Sequence, residues 1–123
     1  MERRVFGFER VHESVRGAKV GFHNDLIDEV EQAVEKNDVV GVGMAKNTFV
    51  KRARKALDQK DVKYAYFEYG GYTSKWKQRL ALKMWLGWPT IPMIFVRGLF
   101  VGGSTDLERL IADGSFDELL AKA

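Results

Sequence analysis

Residues 88–103 read Trp-Pro-Thr-Ile-Pro-Met-Ile-Phe-Val-Arg-Gly-Leu-Phe-Val-Gly-Gly, and this stretch decides the fold. Two prolines precede an apolar run, an Arg-Gly pair separates that run from a second short one, and a double glycine follows. Glycine and proline mark turns, whereas branched and aromatic residues favour strands. The order therefore predicts a loop, a strand, a tight hairpin, a second strand and a close turn.

Pro92 lies where the loop meets the first of these strands. Because proline has no N–H to donate to a strand ladder, we place it at the first strand residue or just before it. Its preceding peptide bond is open to either isomer. A trans bond is commoner, whereas a cis bond would leave the backbone N–H and C=O of Ile91 available to an extended peptide.

The composition excludes several kinds of site. The 123 residues contain no cysteine, so this chain offers no catalytic thiol, no disulfide and no cysteine ligand for zinc or an iron–sulfur cluster. The formal net charge of +3 is a mild basic excess that would favour an acidic partner. No apolar run approaches the ~18 residues needed to cross a bilayer, so no membrane span is predicted. His12 and His23 are isolated from further ligands, and no metal site is predicted.

We interpret residues 1–21 as an N-terminal extension and residues 22–123 as one domain of ordinary size. The extension carries four arginines, as a transit peptide does, but its three glutamates are unusual for such a peptide. We therefore expect it to be retained. It would dock either on its own domain or on a partner, and its composition favours neither.

The rest of the sequence predicts elements in the order α-β-α-β-α-β-β-α-α. Apolar residues recur at helical spacing after Asn24, and residues 39–44 and 62–69 favour strands on either side of a second helix. A strand-helix-strand unit followed by a hairpin implies an α/β fold with a mixed four-stranded sheet and helices on both faces. This arrangement is thioredoxin-like. In it, the turn after Val42 faces the loop at Pro92. The expected N-caps of the last three helices are Thr73 or Ser74, Thr105 and Ser115.

The C-terminal half of the chain resembles the glutaredoxin family. Thr-Ile-Pro, an apolar strand, a turn with glycine, and Val-Gly-Gly before a small polar residue and Asp-Leu follow one another in the family's order. The Trp88-Pro89 pair is most similar to the monothiol branch. The resemblance covers about residues 24–123 and implies a glutaredoxin fold. In that family, a cysteine at the start of the helix after the first strand performs the thiol–disulfide chemistry.

The same resemblance places the family's active-site motif on residues 47–50. Phe49 matches the family aromatic residue, whereas Asn47 replaces the nucleophilic cysteine and Val50 replaces the resolving cysteine or serine. Met44 stands where dithiol relatives carry a lysine. A carboxamide neither attacks a disulfide nor ligates an iron–sulfur cluster. The resemblance therefore implies a glutaredoxin fold without redox catalysis, and we expect no enzymatic activity. A non-redox glutathione transferase would have only Thr48 to activate the thiol of glutathione.

Glutathione binding is the part of the family's chemistry that these residues leave open. Relatives hold glutathione through the backbone before the cis proline and through groups just after the double glycine. Ile91, Pro92, Ser104 and Thr105 match those positions, although Thr105 stands where an aspartate is usual. The proline and the double glycine also shape the backbone without any ligand. No other cofactor is predicted.

The favoured function is that of a redox-inactive structural or protein-interaction subunit of a larger complex. Other protein subunits would contact the extension or the aromatic residues that one small core would not absorb, which are Tyr64, Tyr66, Tyr69, Tyr72 and Trp76.

Two alternatives remain. One is a non-redox glutathione-binding module. The other is an RNA-contacting subunit of a ribosomal assembly, which would use the cations of the second helix, Lys51, Arg52, Arg54 and Lys55. Because monothiol relatives commonly work in mitochondria, we expect a mitochondrial location, with the cytoplasm as the alternative.

Overall fold

The computed structural model describes residues 8–10, 12–14 and 24–122. Residues 24–122 contain five helices and four strands: α1 (Asn24–Lys36), β1 (Val39–Gly43), α2 (Thr48–Gln59), β2 (Ala65–Glu68), α3 (Trp76–Leu86), β3 (Met93–Val96), β4 (Leu99–Gly102), α4 (Ser104–Ala112) and α5 (Ser115–Ala121). The predicted order of elements is confirmed. Of the predicted extension, residues 8–10 form a short 3-10 turn. Most of it lies outside the described residues, so its boundary at residue 21 stays a prediction.

The four strands form one mixed sheet in the order β2-β1-β3-β4. β1 runs parallel to β2 and antiparallel to β3, and β4 pairs antiparallel with β3. Arg97 and Gly98 form the two-residue hairpin turn, both with positive φ, of 51° and 81°. Such a turn matches the twist of paired strands. The predicted thioredoxin-like sheet is confirmed, and the Arg-Gly pair makes the turn that the sequence indicated.

Helices cover both faces of the sheet, as predicted. Met93 and Phe95 of β3 point to one face, where they pack with α1, α3 and the first turn of α2, and Ile94 and Val96 point to the other, where α2, α4 and α5 pack. All four side chains are at most 3% exposed. An uninterrupted apolar run is therefore required here, because successive residues of a strand face opposite layers. Across the described residues, no helix combines the length and the apolar character needed to cross a bilayer.

The predicted N-cap of α3 is wrong. The helix is preceded by Lys75, which has a left-handed backbone with φ of 56° and makes no side-chain capping bond. Ser74 instead accepts a hydrogen bond from the N–H of Gly71 at 3.1 Å. The hydroxyl of Ser74 therefore stabilises the turn before the helix and does not cap α3. Thr73 lies one residue further from the helix.

The predicted N-caps of α4 and α5 are also wrong, because glycine turns start both helices earlier. Gly103 occupies the N-cap position of α4, and the carboxylate of Asp106 accepts its N–H at 2.9 Å. Thr105 is already helical. Gly114 precedes α5 with φ of 84°, which makes Ser115 the first helical residue.

Three of the five aromatic residues expected at the surface are half-buried. The guanidinium of Arg54 lies 4.0 Å from the ring centre of Tyr66, Tyr64 lies within reach of the same guanidinium, and Tyr69 packs against the core. Tyr72 and Trp76 are exposed, at 69% and 57%. The expectation of surface exposure is therefore right only for Tyr72 and Trp76.

Candidate functional site

The turn after β1, the loop before β3 and the start of α4 enclose a groove of about 420 Å³. Its walls are Met44, Asn47, Phe49, Lys83, residues 88–92 and residues 103–106. The Ile91–Pro92 peptide bond is cis. Asn47 and Pro92 therefore line one cavity, which confirms the predicted approach of the two loops.

The entry to α2 is shaped by a glycine and an asparagine. A Cβ at Gly43 would lie 2.5 Å from the hydroxyl of Tyr66 and 2.7 Å from a methyl of Val50, so the end of β1 has room only for glycine. Asn47 has an extended backbone and caps α2, with its Oδ1 accepting the N–H of Val50 at 3.0 Å. Its Nδ2 lies 3.5 Å from the hydroxyl of Tyr72. The carboxamide is thus held by the helix N-terminus at the edge of the groove.

The other residues of the motif are divided between groove, surface and core. Phe49 lines the groove and is 51% exposed. Val50, at the position assigned to the resolving residue, is 3% exposed and packs in the core. Thr48 is exposed and does not line the groove, which gives the transferase alternative no support.

The opposite wall holds the four residues that the sequence proposed for glutathione. Ile91 and Pro92 lie beside the start of α4, where Ser104 is 3% exposed and Thr105 faces outward. Gly102 makes the turn into α4 with φ of 104°, and a Cβ there would lie 2.5 Å from the carboxylate of Asp106. The structure brings these positions together, and their binding of glutathione stays a prediction.

Lys83 is a groove residue that sequence reasoning missed. Its position follows from the end of α3, where Gly87 has φ of 65° and donates its N–H to the carbonyl of Lys83. Lys83 lines the same groove as Asn47 and Phe49. Met44, at the position that the resemblance assigned to a lysine, carries no charge. The positive charge of the groove comes instead from Lys83 of α3. The sequence could have indicated this position, because Lys83 lies in the last turn of the helix that leads into the proline loop.

Trp88, in the wall of the groove, carries a polar group that is unpaired within the described part of the chain. Its ring packs edge-on against Phe100, with the centroids 5.3 Å apart. The indole Nε1 is buried and has no hydrogen-bond acceptor among the described residues. A buried donor of this kind costs about 1–3 kcal/mol unless water or a ligand accepts from it.

Arg79 orders the loop that carries Tyr72. The side chain is 8% exposed, and its Nη1 donates to the carbonyls of Tyr69 at 2.8 Å and of Ser74 at 2.6 Å. Hydrogen bonds from a charged group are stronger than neutral ones. Arg79 therefore fixes both ends of the loop over residues 69–74, and Tyr72 is presented to Asn47.

The variant Arg79→Met is expected to lower the free energy of unfolding by about 2–3 kcal/mol, because two carbonyls lose a charged donor. Lys77→Met likewise replaces a cationic side chain, on the exposed side of α3, and is expected to stay within about 0.5 kcal/mol of the unaltered protein. Urea denaturation measures both. Equal midpoints for the two variants would show that Arg79 does not hold the loop.

The cationic face of α2 is partly engaged within the chain. Arg52 forms an ion pair with Glu108. Arg54 donates to the hydroxyl of Tyr64 at 3.3 Å, which raises the pKa of the guanidinium. Lys51 and Lys55 are exposed. RNA contact through this face stays a prediction, with two of its four cations already bound to other side chains.

Tyr66 makes stability depend on alkaline pH. Burial, and then its hydrogen bond to Glu68, raise the pKa of its hydroxyl to about 12 from the ordinary value of 10. Because the unfolded chain ionises first, the stabilisation is complete below about pH 10 and is lost as the pH rises towards about 12. Urea denaturation at several pH values in this range is expected to show that the unfolding free energy falls more steeply with pH for the unaltered protein than for Tyr66→Phe. Parallel curves would contradict this assignment.

Comparison with known sequences gives one consistent family. A sequence model of the glutaredoxin family matches residues 48–101. A "Glutaredoxin-like protein" of Dictyostelium discoideum is 43% identical over 102 residues, which cover 82% of this chain and 83% of that protein. "Glutaredoxin-2, mitochondrial" of Rattus norvegicus is 29% identical over 90 residues, covering 72% of this chain and 56% of that protein.

Comparison with known structures supports the same fold. A buckwheat glutaredoxin crystallised with glutathione superimposes with a TM-score of 0.70 at 24% identity, covering 79% of this chain and 88% of the other. At this identity the likeness concerns the fold. The 43% identity to the Dictyostelium protein, which covers most of both chains, shows that the relationship also holds at the level of sequence. The cis-proline loop, the double-glycine turn and the cysteine-free helix start thus belong to a member of the glutaredoxin family.

Proposed function

We propose that this chain is a redox-inactive glutaredoxin that acts by binding, as a docking subunit of a protein assembly. One observation carries the proposal. Asn47, at the position assigned to the nucleophile, is the N-cap of α2, and the sequence contains no cysteine that would replace it. An uncharged carboxamide that already accepts a backbone hydrogen bond has no thiolate to offer a disulfide.

The scaffold around that position is intact. The groove is open between Asn47 and Pro92, and its rim carries the exposed side chain of Phe49. Sites are grafted on folds, and a fold persists when its chemistry is lost. A preserved groove without a nucleophile supports a role in recognition.

Two measurements on the full chain test the proposal. In a coupled assay with a glutathione mixed disulfide, the purified protein is expected to give no reduction above the uncatalysed rate. Native purification with mass spectrometry is expected to recover the chain with stoichiometric protein partners. Measurable turnover, or recovery only as a free monomer, would contradict the proposal.

Glutathione binding without turnover is the second candidate, and the groove favours it. Ile91, Pro92 and Ser104 share one wall, and Lys83 contributes a cation that a carboxylate of the tripeptide would meet. The buckwheat relative was crystallised with glutathione, which supports this use of the groove. Titration followed by NMR is expected to shift the amides of Ile91 and Ser104. Unchanged spectra at millimolar glutathione would end this candidate.

We propose a mitochondrial location for the assembly. Support comes from the rat relative, whose name places it in the mitochondrion, and from the mild basic charge of the chain. Subcellular fractionation of cells that express the full chain is expected to recover it with mitochondrial markers. Recovery with cytosolic markers alone would overturn the location and leave the docking role untouched.

A further inference from the structure

The outward face of α3 is apolar. Trp76, Leu80 and Met84 are spaced four residues apart, so they form one row along the helix. Their exposed fractions are 57%, 39% and 50%. We call this row the α3 ridge. Surface helices normally turn charged residues outward, and the inward side of α3 is already filled by Ala81 and Leu82.

Lysines flank the α3 ridge on both long edges. Successive residues lie about 100° apart around a helix, which places Lys77 on one side of the row and Lys83 on the other. Lys75 lies at the start of the helix, and α3 contains no aspartate or glutamate. Within the described part of the chain, no carboxylate forms an ion pair with any of these three lysines.

Among the described residues, the charges at the start of α3 are unfavourable. A helix N-terminus carries partial positive charge, which acidic residues stabilise and cations destabilise. The first turn of α3 has no acidic residue but contains Lys77, and the preceding Lys75 makes no capping bond. A carboxylate supplied from outside would meet both lysines and the helix end.

Two further exposed aromatic residues, Tyr72 and Phe49, lie at or beside the rim of the groove. Tyr72 lies four residues before Trp76, is 69% exposed, and its hydroxyl approaches the side chain of Asn47 at 3.5 Å. Phe49 stands on the same rim. Of the six large apolar side chains exposed among the described residues, only Leu99 lies away from the rim and the α3 ridge. Clustering of this kind marks an interaction surface.

We propose that the α3 ridge docks an amphipathic helix of a protein partner, with carboxylates on both sides of that helix's apolar stripe. The inference rests on the proposed docking function and names its surface. Trp76 and Met84 are residue types enriched at interface centres. The carboxylates would pair with Lys77 and Lys83 and approach the N-terminus of α3 at Lys75.

The arrangement of charges favours a protein over an anionic membrane. The apolar row is one side chain wide and has cations along both edges. That pattern is complementary to a helix with acidic flanks, which lays its stripe along the row. A bilayer offers no such alternation, because its anionic headgroups form one continuous layer.

The test uses the full ¹⁵N-labelled chain and a synthetic peptide of about 20 residues, long enough to be helical. The peptide has leucines at helical spacing and glutamates on both flanks. We expect shifts at Trp76, Leu80 and Met84 that weaken with salt, and affinity lowered about tenfold by Leu80→Glu. The control Leu99→Glu changes the other exposed leucine and is expected to bind normally. A charge-reversed peptide with lysine flanks is expected not to bind.

Four results would overturn the inference. They are the absence of shifts on the α3 ridge, equal affinity for the charge-reversed peptide, binding to phosphatidylserine vesicles but not to the peptide, and contacts between residues 1–21 and the α3 ridge that the peptide does not displace. Native purification separates the two proposals. An assembly that persists in Leu80→Glu would overturn the α3 ridge as its contact and leave the docking function standing. Recovery of the unaltered chain only as a monomer would overturn the docking function, while the peptide titration would still test the surface.

Discussion

Replacing Asn47 with cysteine is expected to create a thiol that is alkylated at pH 7 about threefold faster than an ordinary exposed one. The new Sγ would stand at the N-cap of α2, where Oδ1 now accepts the N–H of Val50 at 3.0 Å. A helix N-terminus stabilises the thiolate and lowers the thiol pKa from about 8.5 towards about 7. The thiolate fraction at pH 7 then rises from about 3% to about 50%, and the lower nucleophilicity of a weaker base offsets part of the gain.

The matched control is Gln59→Cys, at the opposite end of the same helix, where the side chain is also exposed. There the helix end carries partial negative charge and disfavours a thiolate. Iodoacetamide alkylation as a function of pH gives both pKa values. Coinciding profiles for the two variants would show that the helix start no longer activates a thiol. The protein would then lack both the nucleophile and the local environment that lowers a thiol pKa.

The hairpin and the groove loop follow from the sequence because their determinants are local. Two prolines, an Arg-Gly pair and a double glycine each impose a turn within a few residues. Residues 93–96 between them are all apolar, as a strand buried on both faces requires. The position of Asn47 at the groove also follows, since a strand-helix turn and a neighbouring loop meet at one edge of such a sheet.

The helix caps and the inward face of α3 do not follow from the sequence in the same way. Gly103 and Gly114 start their helices earlier than the polar residues that look like caps, because glycine sets the entry of the chain. In α3, apolar residues occupy almost every side, so periodicity does not show which of them face the core. Arg79 looks like a solvent-facing cation, yet tertiary packing buries it beneath the loop that it orders.

The variant Phe116→Ala is expected to destabilise the protein by about 3–5 kcal/mol. Phe116 is fully buried and packs with Leu107 and Val96, where α5 meets α4 and the sheet. Removing the ring loses its transfer free energy and leaves a cavity that a packed core fills only in part. Its helix has seven residues and no side-chain cap, so it has little stability of its own and depends on this contact.

Urea denaturation of Phe116→Ala and of Glu118→Ala, an exposed position in the same helix, separates burial from helix propensity. The glutamate variant is expected to change the unfolding free energy by less than about 0.5 kcal/mol. A single domain has only about 5–15 kcal/mol of stability, so the phenylalanine variant would lose a large fraction of its unfolding free energy. A loss below about 1.5 kcal/mol would mean that α5 is not required to close this face of the sheet. The core on this face of the sheet would then be held by α2 and α4, whose Leu57 and Leu107 are fully buried.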